Sequence, residues 1–202
     1  VLVGSNTAWC HPILFQRIVR AKEARPAMKL VVIDPRHTAT CELADLHLPL
    51  KPGTDVWVFN GLLAYLAQQG VVDSSFVAQH TQGLEPALQA AEADAGSIEA
   101  VAHACRPSVD AVRTLYQWFA ETPRTLTAFS QGVNQSSAGP DKVNSIINCH
   151  LFTGRIGQPG IGPFSVTGQP NAMGGREVGG LANMLAAHLE LHEPTHRELV
   201  QS

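Results

Sequence analysis

The sequence lacks several features that mark common classes of protein. It has no apolar run near the length of about 18 residues that a membrane-spanning helix needs. Only 15% of its residues are charged, and the formal net charge is -3. A weakly negative chain offers no basic surface for nucleic acid or anionic lipid. We therefore expect neither nucleic acid nor a membrane among its partners.

The cysteines also lack the spacing of a metal or disulfide framework. There are four, Cys10, Cys41, Cys105 and Cys149, and no two form a C-x-x-C pair that would indicate a zinc or iron-sulfur site. Disulfide frameworks belong mainly to small secreted domains, so buried free thiols are expected instead. These observations predict no metal ligands within the chain and a reducing compartment, the cytoplasm.

The balance of apolar and charged residues suggests a piece of something larger. Hydrophobic residues make up 45% of the chain, which leaves few charges to cover its surface. The first residue is not Met, and the chain opens directly in the apolar run Val1–Val3. We expect other protein or a large ligand to cover part of this surface.

Short apolar runs alternate with helical periodicity along the chain. The predicted strands are Val1–Val3, Lys29–Ile33, His47–Leu50 and Arg124–Ser130. The predicted helices are one that carries Ile13 to Val19, then Val56–Gln69 and Lys142–Thr153. Continuous apolar runs are typical of parallel strands covered on both faces. The pattern predicts an α/β fold with an open parallel, Rossmann-like sheet flanked by helices and joined by right-handed crossovers.

Two segments interrupt this alternation. Residues 73–121 are alanine-rich and predict a helical insertion, with Ser108 as an N-cap. Residues 155–175 are rich in Gly and Pro and predict a long shaped loop, followed by a helix over 177–190 and a loose tail. We expect a dinucleotide-binding-like α/β domain over 1–154, and a cofactor-facing loop, helix and tail over 155–202.

Polar residues follow each of the four predicted strands. They are Gly4, Ser5, Asn6 and Thr7; Asp34, Pro35, Arg36, His37 and Thr38; Gly53, Thr54 and Asp55; and Gln131, Asn134 and Gln135. In open parallel sheets, ligands bind outside the carboxyl ends of the strands. Any one of these clusters is also ordinary turn and capping chemistry. Their convergence on one sheet edge predicts a ligand groove.

Each cluster suits part of a nucleotide. Small residues before a helix suit a phosphate, because backbone N–H groups and the helix dipole point at it. An acid after the second strand suits a ribose hydroxyl, and Asp55 can accept two parallel hydrogen bonds from a guanine edge. The amides after the fourth strand suit a neutral ring rich in heteroatoms. A plain NAD-binding module is disfavoured because the G-x-G-x-x-G fingerprint is absent.

Five ordered strings give the chain a recognisable character: VGSNTAWCHP, IDPRHTATCELAD, KPGTD, SQGVNQSSAG and GPFSVTGQPNAMGGREVGGLAN. In this order the chain resembles the molybdopterin oxidoreductases that carry bis-molybdopterin guanine dinucleotide with molybdenum. The last string most resembles the catalytic subunit of assimilatory nitrate reductase. The resemblance runs from Val3 to about His188.

The resemblance implies roles for the same residues. Residues 3–10 correspond to a turn at the cofactor phosphates, 34–38 to second-strand contacts, 53–55 to the guanosine site, and Gln131 and Gln135 to contacts near the pterin. Gln169 and Arg176 match residues close to molybdenum, where a cation can hold nitrate. The family's metal-ligating cysteine and its 4Fe-4S cysteines would precede Val3, so the chain alone would not be catalytic.

In the intact protein the resemblance implies reduction of nitrate to nitrite. The implied partners are the rest of the same catalytic subunit, nitrate, and an electron-donor protein or domain. Two alternatives stay open. One is the same domain of a formate dehydrogenase, and the other is a non-catalytic scaffold of the same fold.

Overall fold

Five short parallel strands form one sheet: β1 (Leu2–Val3), β2 (Val31–Ile33), β3 (Leu46–Leu48), β4 (Leu126–Phe129) and β5 (Gly162–Ser165). The computed structural model describes residues 1–167, 172–180 and 184–201, and for residues 172, 173 and 176 the backbone alone. The strand order is β3-β2-β1-β4-β5, and every neighbouring pair is parallel. In the centre, Val3 of β1 lies in register with Ile33 of β2 and Phe129 of β4.

Nine helices accompany the strands between residues 1 and 166. They are α1 (Thr7–Cys10), α2 (Pro12–Ala24), α3 (Asp55–Gln68), α4 (Ser74–His80), α5 (Leu84–Ala95), α6 (Ile98–Cys105), α7 (Val109–Glu121), α8 (Gln131–Asn134) and α9 (Gly139–Phe152), with a 3-10 helix at Ala39–Leu43. Helices α3 to α7 are inserted between β3 and β4. The Asp73, Ser97 and Ser108 side chains cap α4, α6 and α7 by accepting from backbone N–H groups.

The sheet is covered on both faces, as its continuous apolar strands require. On one face, Val3, Ile33 and Leu48 pack into a large core with apolar residues of α3, α6, α7 and α9. On the other face, Leu2 and Val32 form a smaller cluster that is covered in part by α2. The parallel α/β fold predicted from the sequence is therefore confirmed.

The fifth strand was not predicted. Residues 162–165 lie within the segment whose Gly and Pro content indicated a loop, yet they pair with β4 along its whole length. The pairing continues past the strand, where the Val166 N–H donates to the Phe129 carbonyl at 2.8 Å. Pro163 is tolerated because β5 is an edge strand, on which a missing N–H need not face a partner. Amino-acid composition alone does not show that this Gly- and Pro-rich segment contains an edge strand.

The chain divides into two units, Val1–Val166 and Thr167–Ser202. The second contains α10 (Ala172–Glu177), a 3-10 helix at Ala186–His188 and α11 (Pro194–Gln201). The helix predicted over 177–190 is wrong: α10 ends where it should begin, and Gly179 follows with a φ of 69°. The tail predicted to be loose contains α11. Among the described helices, none combines the length and apolar character that crossing a bilayer demands.

Candidate functional site

A cavity of about 540 Å³ lies at the carboxyl ends of the strands. The chain leaves β1 towards β2 on one side and leaves β4 towards β5 on the other, so strand order reverses between β1 and β4. Ligands of doubly wound folds bind at this reversal. The lining comprises Gly4, Ser5, Asn6, Cys10, Ile33, Asp34, Pro35, Arg36, Leu50, Lys51, Pro52, Gly53, Asp55, Ser130, Gln131, Gly132, Ser136 and Lys142. We call it the switch-point groove.

Two glycines allow the backbones after β1 and β4 to meet on this groove. The Gly132 N–H donates to the Gly4 carbonyl at 3.0 Å. A Cβ atom on Gly132 would lie 2.7 Å from the Gly4 Cα, and one on Gly4 would lie 2.8 Å from the Gly132 Cα. Gly4 also has a φ of 54°, a conformation that other residues rarely adopt. The turn therefore presents backbone rather than side chains to a ligand.

The turn after β1 is held by its own polar side chains. Buried Ser5 and Thr7 share a hydrogen bond of 2.9 Å between their hydroxyls. The Thr40 hydroxyl donates to Asn6 Oδ1 at 3.1 Å and accepts from the Ala8 N–H at 3.0 Å. The helix dipole at this turn is weaker than predicted, because α1 has only four residues and α2 begins separately at Pro12. Phosphate recognition at this turn would depend on backbone and small side chains.

The turn after β2 supplies a carboxylate and a cation. Asp34 is buried, and its Oδ1 accepts from the Arg36 N–H at 2.8 Å. The Arg36 Nε lies 3.9 Å from the same oxygen, and its side chain is 73% exposed. The His47 ring from β3 bonds the Asp34 carbonyl at 2.9 Å. Hydrogen bonds thus hold the Asp34 side of this turn, and an exposed cation lies at the mouth of the groove.

A buried ion pair lies at the third edge. Asp55, the first residue of α3, places its Oδ2 2.8 Å from the Nζ of Lys142 on α9. Their side chains are 12% and 5% exposed. A buried ammonium carries a large desolvation penalty unless it is paired, so the contact fixes the Asp55 carboxylate in position. Asp55 was predicted from the sequence as a site residue, whereas Lys142 was not.

The structure brings nine of the predicted residues together in the groove and leaves six out of its lining. The lining includes Gly4, Ser5, Asn6, Asp34, Pro35, Arg36, Gly53, Asp55 and Gln131. It does not include Thr7, His37, Thr38, Thr54, Asn134 or Gln135.

Hydrogen bonds to other residues of the protein account for three of these six residues. The Thr7 side chain bonds Ser5, and the Thr54 hydroxyl donates to the Lys51 carbonyl at 2.7 Å instead of capping α3. The Asn134 side chain points to Ser165 of β5, with Nδ2 at 3.5 Å from Oγ.

Two residues, Gln169 and Arg176, are predicted to lie near molybdenum. Gln169 lies outside the described residues. Arg176 lies on α10 in the second unit, where the backbone alone is described. Their predicted roles stay predictions.

Among the lining residues that were not predicted, Gly132 and Ser136 come from the segment between β4 and α9, and Lys142 comes from α9 itself. Ser130 joins them, and its hydroxyl donates to the Val166 carbonyl at 2.7 Å, which ties the ends of β4 and β5 together. Lys142 carried no signal of burial in the sequence, because it is the first residue of the predicted helix and follows Pro140 and Asp141.

All four cysteines are free thiols, as predicted, but only three are buried. Cys10 is exposed and lines the groove, contrary to the expectation of burial. Burial raises the pKa of Cys105 and of Cys149 above the ordinary value of a thiol. These two are therefore protonated and unreactive at neutral pH.

The sheet and its flanking helices define an α/β domain of the doubly wound type, with a groove at the point where strand order reverses. A sequence model described as "Molybdopterin oxidoreductase" matches residues 1–200, and the chain belongs to that family.

The nitrate reductase of Shewanella frigidimarina (strain NCIMB 400) is 52% identical over 199 residues, covering 98% of this chain and 21% of that protein. That of Klebsiella oxytoca is 48% identical over 201 residues, covering 100% and 22%. The chain thus spans about a fifth of these relatives.

A solved structure, acetylene hydratase from Pelobacter acetylenicus, shares the fold with a TM-score of 0.65 at 22% identity. The match covers 79% of this chain and 22% of that one.

Family membership implies a molybdenum-pterin cofactor, and the groove can be tested for its fit. Its volume falls within the range of about 300–1,000 Å³ that is common for small-molecule sites. A close backbone approach at Gly4 and Gly132, with buried carboxylates at two edges, provides hydrogen-bonding partners for a nucleotide. The residues therefore fit a cofactor that carries polar, hydrogen-bonding groups.

Proposed function

We propose that this chain is the central cofactor-binding part of the catalytic subunit of a molybdenum-dependent nitrate reductase. The cofactor would be bis-molybdopterin guanine dinucleotide, and the groove would take one guanosine arm. The observation that carries the proposal is the Asp55–Lys142 pair, because it holds an ionised carboxylate at a groove edge where guanine presents two parallel N–H donors. A non-catalytic scaffold has no need of such a carboxylate.

The other edges would bind the rest of that arm. The Gly4–Gly132 contact would let the diphosphate approach the backbone. Asp34 would accept a hydrogen bond from a ribose hydroxyl, and exposed Arg36 would pair with a phosphate at the groove mouth. Gln131 would bond the pterin side of the arm. His37, Thr38, Asn134 and Gln135 would then support the cofactor from outside the lining.

Gln169 and Arg176 would serve the substrate. A guanidinium can hold the planar nitrate anion by two parallel hydrogen bonds and stabilise negative charge on its oxygens. When bound, the molybdenum-pterin group supplies the two-electron removal of an oxygen atom from nitrate. This chain's own residues bind and orient the cofactor and present a positive charge.

The remaining parts would lie in the rest of the subunit. A 4Fe-4S cluster and an electron-donor protein or domain would deliver the electrons. We place the protein in the cytoplasm, because its four thiols are free and the matching string resembles assimilatory enzymes.

The guanosine assignment is tested by the substitution Asp55→Asn in the full-length protein. The amide keeps the shape of the carboxylate but replaces one acceptor with a donor, which would face the guanine N–H groups. Hydrogen bonds to charged groups contribute about 1.5–3 kcal/mol, so cofactor affinity should fall roughly 10- to 150-fold. The measurement is GMP released by acid hydrolysis, together with molybdenum content by mass spectrometry.

Asp110→Asn is the matched control, because the Asp110 side chain is 92% exposed on α7. It should retain full GMP and molybdenum content. Undiminished GMP in a folded Asp55→Asn protein would remove the guanosine assignment. Activity with formate but not nitrate in the parent protein would keep the groove and replace the substrate.

A further inference from the structure

We propose that His37, Cys41 and His47 form a zinc site at the outer edge of the sheet, beside the switch-point groove. One ligand atom from each residue lies within 4.8 Å of the other two. The three come from different elements: the turn after β2, the 3-10 helix Ala39–Leu43, and strand β3. None of them lines the groove. The proposal therefore does not depend on what occupies the groove, although it gives His37 a metal-binding role in place of support for the cofactor.

The hydrogen bond made by His47 selects the tautomer that a metal requires. Its Nε2 lies 2.9 Å from the Asp34 carbonyl oxygen. A carbonyl only accepts, so Nε2 carries the hydrogen and Nδ1 keeps the lone pair that can bind a metal. Metal-binding histidines commonly donate their second ring nitrogen in this way, which fixes the orientation of the ring. His47 is thus in the tautomer that leaves Nδ1 available as a ligand.

The geometry needs only a small adjustment. With zinc bond lengths of about 2.0–2.3 Å, ligand atoms in a tetrahedral site lie roughly 3.3–3.7 Å apart. The His37 and His47 ring centroids are 5.3 Å apart at an angle of 84°. His37 is exposed, so rotation of its side chain can close the difference, while buried Cys41 and half-buried His47 stay in place. Water would complete the coordination on the solvent side.

The chemistry of the ligands favours zinc among the biological cations. A thiolate and two imidazoles are the nitrogen and sulfur donors that Zn²⁺ prefers, whereas Ca²⁺ and Mg²⁺ take oxygen. The Cys41 Sγ now lies 3.9 Å from the Arg36 carbonyl, and its thiol proton would be released to solvent on metal binding. The bound ion would clamp the turn that carries Asp34 and Arg36 onto β3.

The test measures zinc in the full-length protein after loading with zinc sulfate and gel filtration. Elemental analysis should find about one zinc per chain in addition to any molybdenum and iron. The zinc K-edge absorption spectrum should show one sulfur at about 2.3 Å and nitrogen or oxygen at about 2.0–2.1 Å. This edge is specific to zinc, so other metals in the protein do not obscure it.

Two variants and two controls decide the assignment. His37→Ala and Cys41→Ala should each lose most of the zinc, and His37→Ala should do so without a change in folding because the side chain is exposed. His192→Ala and Cys10→Ala, which remove an exposed imidazole and an exposed thiol elsewhere, should keep it. Equal zinc in the wild type and His37→Ala, or a zinc shell without sulfur, would overturn the proposal.

Discussion

Removing the cation of the buried pair provides the sharpest test of how the groove is built. The substitution Lys142→Met keeps the length and most of the volume of the side chain but leaves the Asp55 carboxylate without its partner at 2.8 Å. Breaking a buried pair from one side costs about 3–5 kcal/mol, because the remaining charge stays desolvated. Asp55 keeps 12% exposure towards the groove, so we expect the lower end, about 3 kcal/mol.

The assay is thermal and chemical unfolding of the single variants and of the double variant. For a unit of 150–250 residues, each kcal/mol shifts the Tm by about 2–4 °C, so Lys142→Met should lower it by roughly 6–12 °C. Asp55→Ala leaves a buried ammonium and should cost a similar amount. In the double variant neither charge is stranded, so its loss should be smaller than the sum of the single losses.

A surface pair supplies the matched control. Arg113 lies 2.8 Å from Asp110 on α7, but the two side chains are 40% and 92% exposed. Water screens such a pair, so Arg113→Met should change stability by less than about 0.5 kcal/mol. Strictly additive losses for Asp55 and Lys142, or a loss at Lys142 no larger than at Arg113, would refute the view that the pair fixes the carboxylate.

Three further changes test other parts of the molecule. Burial, with Arg155 nearby, lowers the pKa of His150 to about 3, so only the unfolded state takes up this proton between pH 6.5 and 3. Stability should therefore fall by up to about 4–5 kcal/mol as pH drops through that window, and urea titrations should show a shallower fall in His150→Gln. Gly132→Ala should cost about 1–3 kcal/mol of unfolding free energy because its Cβ would meet the Gly4 backbone, whereas Gly175→Ala, with open space around it, should not destabilise. Arg176→Ala should raise the KM for nitrate about 10- to 150-fold in steady-state assays with little change in Tm, and a change in Tm alone would make the arginine structural.

The sheet could be predicted because its determinants are local. A run such as KLVVI predicts both a strand and its burial, and the polar residues after it mark the carboxyl end of the strand. All strands run parallel, so these ends lie at one edge of the sheet, which is why nine predicted residues line one groove. The strand β5 was missed because its pairing depends on β4 and not on its own composition.

The contents of the groove were only partly predictable, because side-chain direction depends on neighbours distant in sequence. Thr54 and Asp55 are adjacent in the chain, yet Thr54 bonds its own turn and Asp55 pairs with a lysine 87 positions later. The same reason hid the cluster of His37, Cys41 and His47. Its spacing matches no short metal motif, and it exists only because the turn after β2 returns to β3.

The position of Lys142 gives the strongest internal argument that the groove has a function. Lys142 lies in the first turn of α9, where the helix dipole is positive and a cation is disfavoured. Lys142 is also buried, and burial disfavours the charged form of its side chain as well. Asp55 in the first turn of α3 offsets both effects, and it can do so because α3 and α9 both begin at the carboxyl ends of their strands. Stability alone does not account for this pair, because apolar residues of similar volume in place of a buried ion pair are often neutral or stabilising. We therefore expect the Asp55 carboxylate to serve a ligand at the groove edge.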